Sequence, residues 1–101
     1  MIYQLSVPGP IEDVEELRVL EWHGEAGRRF AQGEMIVELE THKAVVEVRA
    51  AQPGVLRRIL CPPGEWQTLG RPLAIFSDSA DEALPASDEP GAALAVDFEV
   101  T

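Results

Sequence analysis

The 101-residue chain has one cysteine, Cys61, so no disulfide can form within it. A reducing compartment is the simplest setting for such a chain, which gives a cytoplasmic expectation. No apolar run approaches the roughly 20 residues of a membrane-spanning helix, and the N-terminal stretch is not of the secretory type. Two histidines, His23 and His42, with a single cysteine make no zinc-ligand spacing. Nucleophile-elbow and phosphate-loop patterns are missing as well. An independent catalytic centre is therefore not expected. Basic residues are scarce: eight Lys and Arg stand against 18 Asp and Glu, a net charge of -10. Without a basic stripe, nucleic acid and anionic membrane surfaces are poor partners.

The charge is unevenly spread. Residues 1–77 carry eleven acidic and eight basic side chains, whereas residues 78–101 carry seven acidic ones and no Lys or Arg. The stretch DSADEALPASDEP from Asp78 to Pro90 has no hydrophobic period and reads as a solvated, disordered linker. The chain then turns apolar again in GAALAVDFEVT. That segment offers a short strand, a docking peptide or a frayed terminus, and fraying is the default for a chain end. The expected division is a folded domain over 1–77 and an acidic linker or tail over 78–101.

Within 1–77 no segment sustains a helical stripe for three turns. Instead, short apolar stretches occur at Ile2–Val7, Leu17–Trp22, Met35–Leu39, Val45–Val48, Val55–Leu60 and Pro72–Phe76. Turn residues separate them, including Pro8-Gly9-Pro10, Pro53-Gly54 and Pro62-Pro63-Gly64. The chain is all-β on this pattern. A shift of 37 positions aligns Trp22 with Ile59, Gly27 with Gly64, Gly33 with Gly70, Ile36 with Leu73, Val37 with Ala74 and Leu39 with Phe76. Each such half would leave an apolar face uncovered. Packing the two together gives a sandwich or flattened barrel.

The most informative stretch runs from Met35 to Arg49. With His42 and Lys43 as the central turn residues of a hairpin, Leu39 faces Val46 and Val37 faces Val48. Glu40 then pairs with Val45 and Glu38 with Glu47 on the other face. A slip of one residue would mix the two faces, so the alternation itself sets the register. Lys43 lands at the apex. Neither central residue is Gly or Asn, which favours a type I turn or a slightly longer loop over the primed turns. Glu38 opposite Glu47 is tolerable only on a hydrated face.

The run Glu40-Thr41-His42-Lys43-Ala44, followed by Val45-Val46-Glu47-Val48, resembles the lipoylation motif E-T-D-K-A of lipoyl domains. These belong to the dihydrolipoamide acyltransferase components of 2-oxoacid dehydrogenase complexes. The resemblance covers residues 1 to about 77. Gly33 and Gly54 stand at the family's spacing from Lys43, and Ile2–Pro8 is similar to its first strand. It implies a barrel-sandwich hybrid of two four-stranded sheets with quasi-twofold symmetry and the lysine hairpin opposite the termini. It also implies lipoic acid in amide linkage to Lys43, installed by a lipoyl ligase or transferase. The implied partners are a thiamin-diphosphate-dependent decarboxylase that acylates the dithiolane, an acyltransferase core and the flavoprotein dihydrolipoamide dehydrogenase. The cofactor supplies the hard chemistry and the protein supplies presentation.

The sequence departs from the motif at His42, which stands where the family has Asp. Glu40, Thr41, His42 and Ala44 are the tip residues that a modifying enzyme or decarboxylase would meet. The family's first loop lies near its lysine and identifies the domain to partners; here it matches Gly9 to Glu16, with Glu12, Asp13, Glu15 and Glu16. Four carboxylates there would complement a basic partner surface. Three rival readings stay open: a biotinyl carrier, a glycine-cleavage-type aminomethyl carrier, and an unmodified interaction module. Biotinyl domains usually flank their lysine with Met on both sides, where this chain has His42 and Ala44. Trp22 is expected to anchor the core, Cys61 to be packed, and His23 to be a half-buried strand or edge residue.

Overall fold

A computed structural model describes residues 1–11, 13–84 and 92–101 of the chain. Its regular elements are ten strands: β1 (Ile2–Ser6), β2 (Glu16–Trp22), β3 (Arg29–Phe30), β4 (Met35–Glu40), β5 (Val45–Ala50), β6 (Gly54–Ile59), β7 (Trp66–Thr68), β8 (Pro72–Ser77), β9 (Ala92–Ala93) and β10 (Val96–Val100). One sheet has the order β3-β6-β8-β1-β9 and the other β10-β5-β4-β2-β7. The first eight strands are thus the expected two four-stranded sheets, and each sheet gains one edge strand from the tail. Period-two alternation puts Leu17, Val19, Val37, Leu39, Val46 and Val48 inward from one sheet. They meet Leu5, Leu56, Leu73, Ala74 and Phe76 from the other in a single core.

The 37-residue repeat is a physical symmetry. Exchanging the two sheets maps β7-β2-β4-β5 onto β3-β6-β8-β1 in order. The bulge between Val19 and Glu21, where β2 meets β4, recurs between Leu56 and Arg58, where β6 meets β8. Gly27 and Gly64 both hold positive φ, at 101° and 90°. Their N–H groups donate to equivalent carbonyls, Gly27 to Leu56 at 2.7 Å and Gly64 to Val19 at 2.8 Å. A left-handed residue at each position lets the chain turn back across the opposite sheet, a conformation glycine adopts without a Cβ penalty. Gly54 serves differently. It opens β6, and a Cβ there would sit 3.4 Å from Phe76 Cδ2 and 3.6 Å from Leu94 Cδ1, so its smallness keeps the strand close to the core.

The fold separates two ends. Residues 51–53 join β5 to β6, so the Ala50 end of the second sheet adjoins Val55, which pairs with Ser77. Asp78 N–H donates to Met1 C=O at 3.2 Å at that same end. The β4–β5 turn lies at the other end, so residues 1 and 78 are opposite Lys43, as the resemblance implies. Thr101 is not. The strand β10 runs antiparallel to β5 from Val96 beside Ala50 to Val100 beside Val46, which carries Thr101 back to the lysine end. Of the three options for the chain's last segment, the structure therefore shows the strand and not the frayed terminus. Leu94, 5% exposed, holds it in the core, and Leu94 N–H donates to Gln4 C=O at 3.0 Å. Residues 85–91, which include the second part of the acidic linker, lie outside the described residues.

The outer face of the second sheet carries a row of carboxylates in register: Glu21, Glu38, Glu47 and Glu99 on β2, β4, β5 and β10. The expected hydrated, negative face is this one. Like charges directly opposite destabilise a ladder, and Glu47 has one on each side. Glu47→Lys is expected to stabilise the fold by about 0.5–1 kcal/mol in urea unfolding at low salt. The gain should shrink in 1 M salt, where screening is nearly complete.

Candidate functional site

The β4–β5 hairpin has the register that apolar alternation demands. Leu39 pairs with Val46, Val37 with Val48, Glu40 with Val45 and Glu38 with Glu47. Thr41 closes the turn. Its N–H donates to Ala44 C=O at 2.8 Å, and its Oγ1 accepts from the N–H groups of Lys43 and Ala44 at 3.0 and 2.9 Å. A side-chain hydroxyl thus does what a backbone carbonyl would do in a tighter turn. Among the described non-glycine residues only Asp13 has positive φ, so the tip is not a primed turn. Lys43 is exposed at the apex, and among the described residues its amine has no hydrogen-bond or ion-pair partner. Thr41→Val keeps the shape and strips the acceptor. Amide exchange at Lys43 and Ala44 is expected to quicken, reflecting a local loss of about 0.5–1.5 kcal/mol, while core amides stay protected.

Beside the tip lies an open cleft of about 900 Å³. Thr41, His42, Lys43 and Ala44 form one wall, and Asp13, Val14, Glu15 and Glu16 form another. The structure therefore brings together the tip and the first loop that the sequence singles out. Glu40 is not on the cleft; its carboxylate pairs with Arg18 at 3.2 Å across the β2–β4 ladder. Glu12 lies outside the described residues. The loop is tied down by Leu69 N–H donating to Glu15 C=O at 3.0 Å and by the turn bond from Val14 N–H to Ile11 C=O at 3.1 Å. Asp13 takes φ 60° there, which a short polar side chain tolerates. Ile11 and Val100 also line the cleft, and sequence reasoning singled out neither these two nor Val14. The lining thus combines the carboxylates of Asp13, Glu15 and Glu16 with apolar side chains, and Lys43 is its cation.

His42 is not simply solvated. Its ring packs on Trp66 with centroids 5.4 Å apart and planes inclined by 31°. The contact arises because Arg18 pairs with both Glu40 and Trp66, setting β7 across β2 from the hairpin at the level of its tip. An Asp at position 42 could not make it. Trp22 donates its indole N–H to Cys61 C=O at 3.0 Å, pinning the end of β2 to the turn after β6. Cys61 is buried, which pushes its thiol pKa up, and the Glu65 charge adds to the effect. His23 is half-buried with Nε2 2.7 Å from Glu38 Oε1. With Glu21 these two place three potential ligating atoms within 4.8 Å of one another on the outer face.

A symmetric β-sandwich that presents at a hairpin apex a lysine without a partner among the described residues has the form of a carrier-type domain. The family described as "Biotin-requiring enzyme", that of biotin and lipoyl attachment, matches residues 3–76, and the chain belongs to it. The chain is 33% identical over 87 residues to the dihydrolipoyllysine-residue succinyltransferase component of the 2-oxoglutarate dehydrogenase complex of Bacillus subtilis. That match covers 85% of the chain and 21% of the relative. The corresponding component of Haemophilus influenzae is 36% identical over 95 residues, 89% of the chain and 23% of the relative. The dihydrolipoyllysine-residue acetyltransferase component of the pyruvate dehydrogenase complex of Rhizobium meliloti is 31% identical over 98 residues, 95% of the chain and 22% of the relative. The chain thus spans about a fifth of the length of these relatives.

Proposed function

We propose that the chain is a lipoyl carrier, with lipoic acid joined to Lys43, which shuttles acyl groups and electrons within a 2-oxoacid dehydrogenase-type complex. The observation that carries this is the placement of Lys43, an exposed primary amine at a register-locked apex with no partner among the described residues. Such an amine can accept an amide bond without disturbing any packed contact. When bound, the group supplies a dithiolane that takes and releases acyl groups. The chain's own residues hold the amine clear of the fold and mark it for other proteins. Lipoyl rather than biotinyl cargo is supported by His42 and Ala44 beside the lysine, and by relatives whose names specify a dihydrolipoyllysine residue.

The partners in this reading are a lipoyl ligase or transferase, a thiamin-diphosphate-dependent decarboxylase, an acyltransferase core and dihydrolipoamide dehydrogenase. Asp13, Glu15 and Glu16 serve them as a recognition surface for basic groups. Tethering would raise the arm's effective concentration at each site to roughly millimolar. The chain itself has no catalytic role. To test the reading, the lipoylated chain is incubated with a 2-oxoacid decarboxylase, thiamin diphosphate and either 2-oxoglutarate or pyruvate, and intact mass is followed. Acylation with one of the two substrates is expected. A lipoylated chain that accepts neither acyl group would point instead to an aminomethyl carrier.

A further inference from the structure

The segment 92–101 belongs to the lysine site. It begins in the core, where Leu94 is buried, and is fixed next by Ala51 N–H to Ala95 C=O and Ala95 N–H to Gln52 Oε1, both 2.9 Å. It ends at the hairpin. Thr101 N–H donates to Val45 C=O at 2.9 Å, and Val45 N–H donates back to Thr101 C=O at 3.2 Å. Thr101 Oγ1 reaches the same Val45 carbonyl at 3.3 Å. Val45 is two residues from Lys43, so these bonds hold the second leg of the turn that presents the amine. Val100, 45% exposed, lines the same cleft as Lys43. The family match ends at residue 76, so this wall lies outside the matched residues.

The alternation of the ladder says which side chains do what. Because Thr101 and Val45 exchange both bonds, Glu99 and Asp97 also occupy hydrogen-bonded positions, whereas Val100 opposite Val46 does not. Val100 therefore offers its side chain to the cleft without carrying the ladder. Glu99 lies in register with Glu47, so the strand stays paired against a like-charge contact. Leu94 and the backbone bonds outweigh that repulsion.

Resting on the lipoyl reading above, we propose that β10 with Thr101 is a specificity-determining wall for the enzyme that modifies Lys43. Val100 supplies an apolar contact in the acidic cleft, and Thr101 positions the hairpin through Val45. The partner surface that fits is an apolar side chain flanked by basic groups.

The test uses the full apo chain with a lipoate–protein ligase, lipoate and ATP, and measures kcat/KM for amide formation. Amide exchange at Val45 provides an independent readout. Val100→Asp is expected to lower kcat/KM by about tenfold, chiefly through KM, with exchange at Val45 and the melting temperature unchanged. Glu99→Pro removes a ladder N–H and is expected to speed exchange at Val45 and to lower kcat/KM at least as far. Glu99→Gln, which keeps the strand, should do neither. If Val45 exchange quickens in Glu99→Pro while both variants are lipoylated within about twofold of the parent, the inference is overturned. Unchanged Val45 exchange in Glu99→Pro overturns the positioning role of Thr101. A parent chain that takes no lipoyl group refutes the carrier reading itself, and is distinguished by that result from either of the others.

Discussion

Truncating Phe76 to alanine is expected to cost about 3–5 kcal/mol, enough to remove much of the stability of a domain this size. Phe76 is fully buried on β8, which lies between β6 and β1 near the middle of its sheet. Its ring packs on Phe30 with centroids 6.0 Å apart at a 54° tilt, an arrangement that adds to simple burial. The neighbouring strand β6 has little with which to fill the gap, because Gly54 approaches Phe76 with no side chain of its own. Phe98 provides the contrast. It is 40% exposed on β10, and the same truncation there should cost less than about 1 kcal/mol. Urea unfolding followed by circular dichroism compares the two directly.

Lys43→Arg is expected to abolish modification completely while leaving the fold untouched. Arginine keeps the positive charge, but its guanidinium is always protonated and offers no free amine to acylate. Since the Lys43 amine has no partner among the described residues, the substitution breaks no contact, and stability should change by less than about 0.5 kcal/mol. Intact mass before and after incubation with ligase, lipoate and ATP checks the first statement, and a urea melt checks the second. A variant that still gains mass would place the acceptor elsewhere in the chain.

Much of this was legible in the sequence because the decisive forces are local or periodic. Val37, Leu39, Val46 and Val48 alternate with polar residues, and one register alone buries all four. The repeat was legible because both halves solve the same packing problem, so Gly27 and Gly64 recur where the chain must turn back. The strands β3 and β7 escaped notice because two or three residues carry no period. The packing of Trp66 on His42 went with them, since it depends on β7 pairing with β2. The tail was harder still. Val96, Phe98 and Val100 alternate as a strand should, yet their partner strand lies about 50 residues away in sequence, and nothing local says the segment docks. Its buried anchor, Leu94, is one apolar residue among alanines. For the same reason Val100 could not be foreseen as part of the cleft.

The most direct test of the carrier assignment is the mass and peptide map of the chain purified from a host supplied with lipoate. The expected result is a lipoyl increment confined to the peptide that contains Lys43. A biotin increment on that peptide, or an unmodified Lys43 from cells that lipoylate their own carriers, would contradict it.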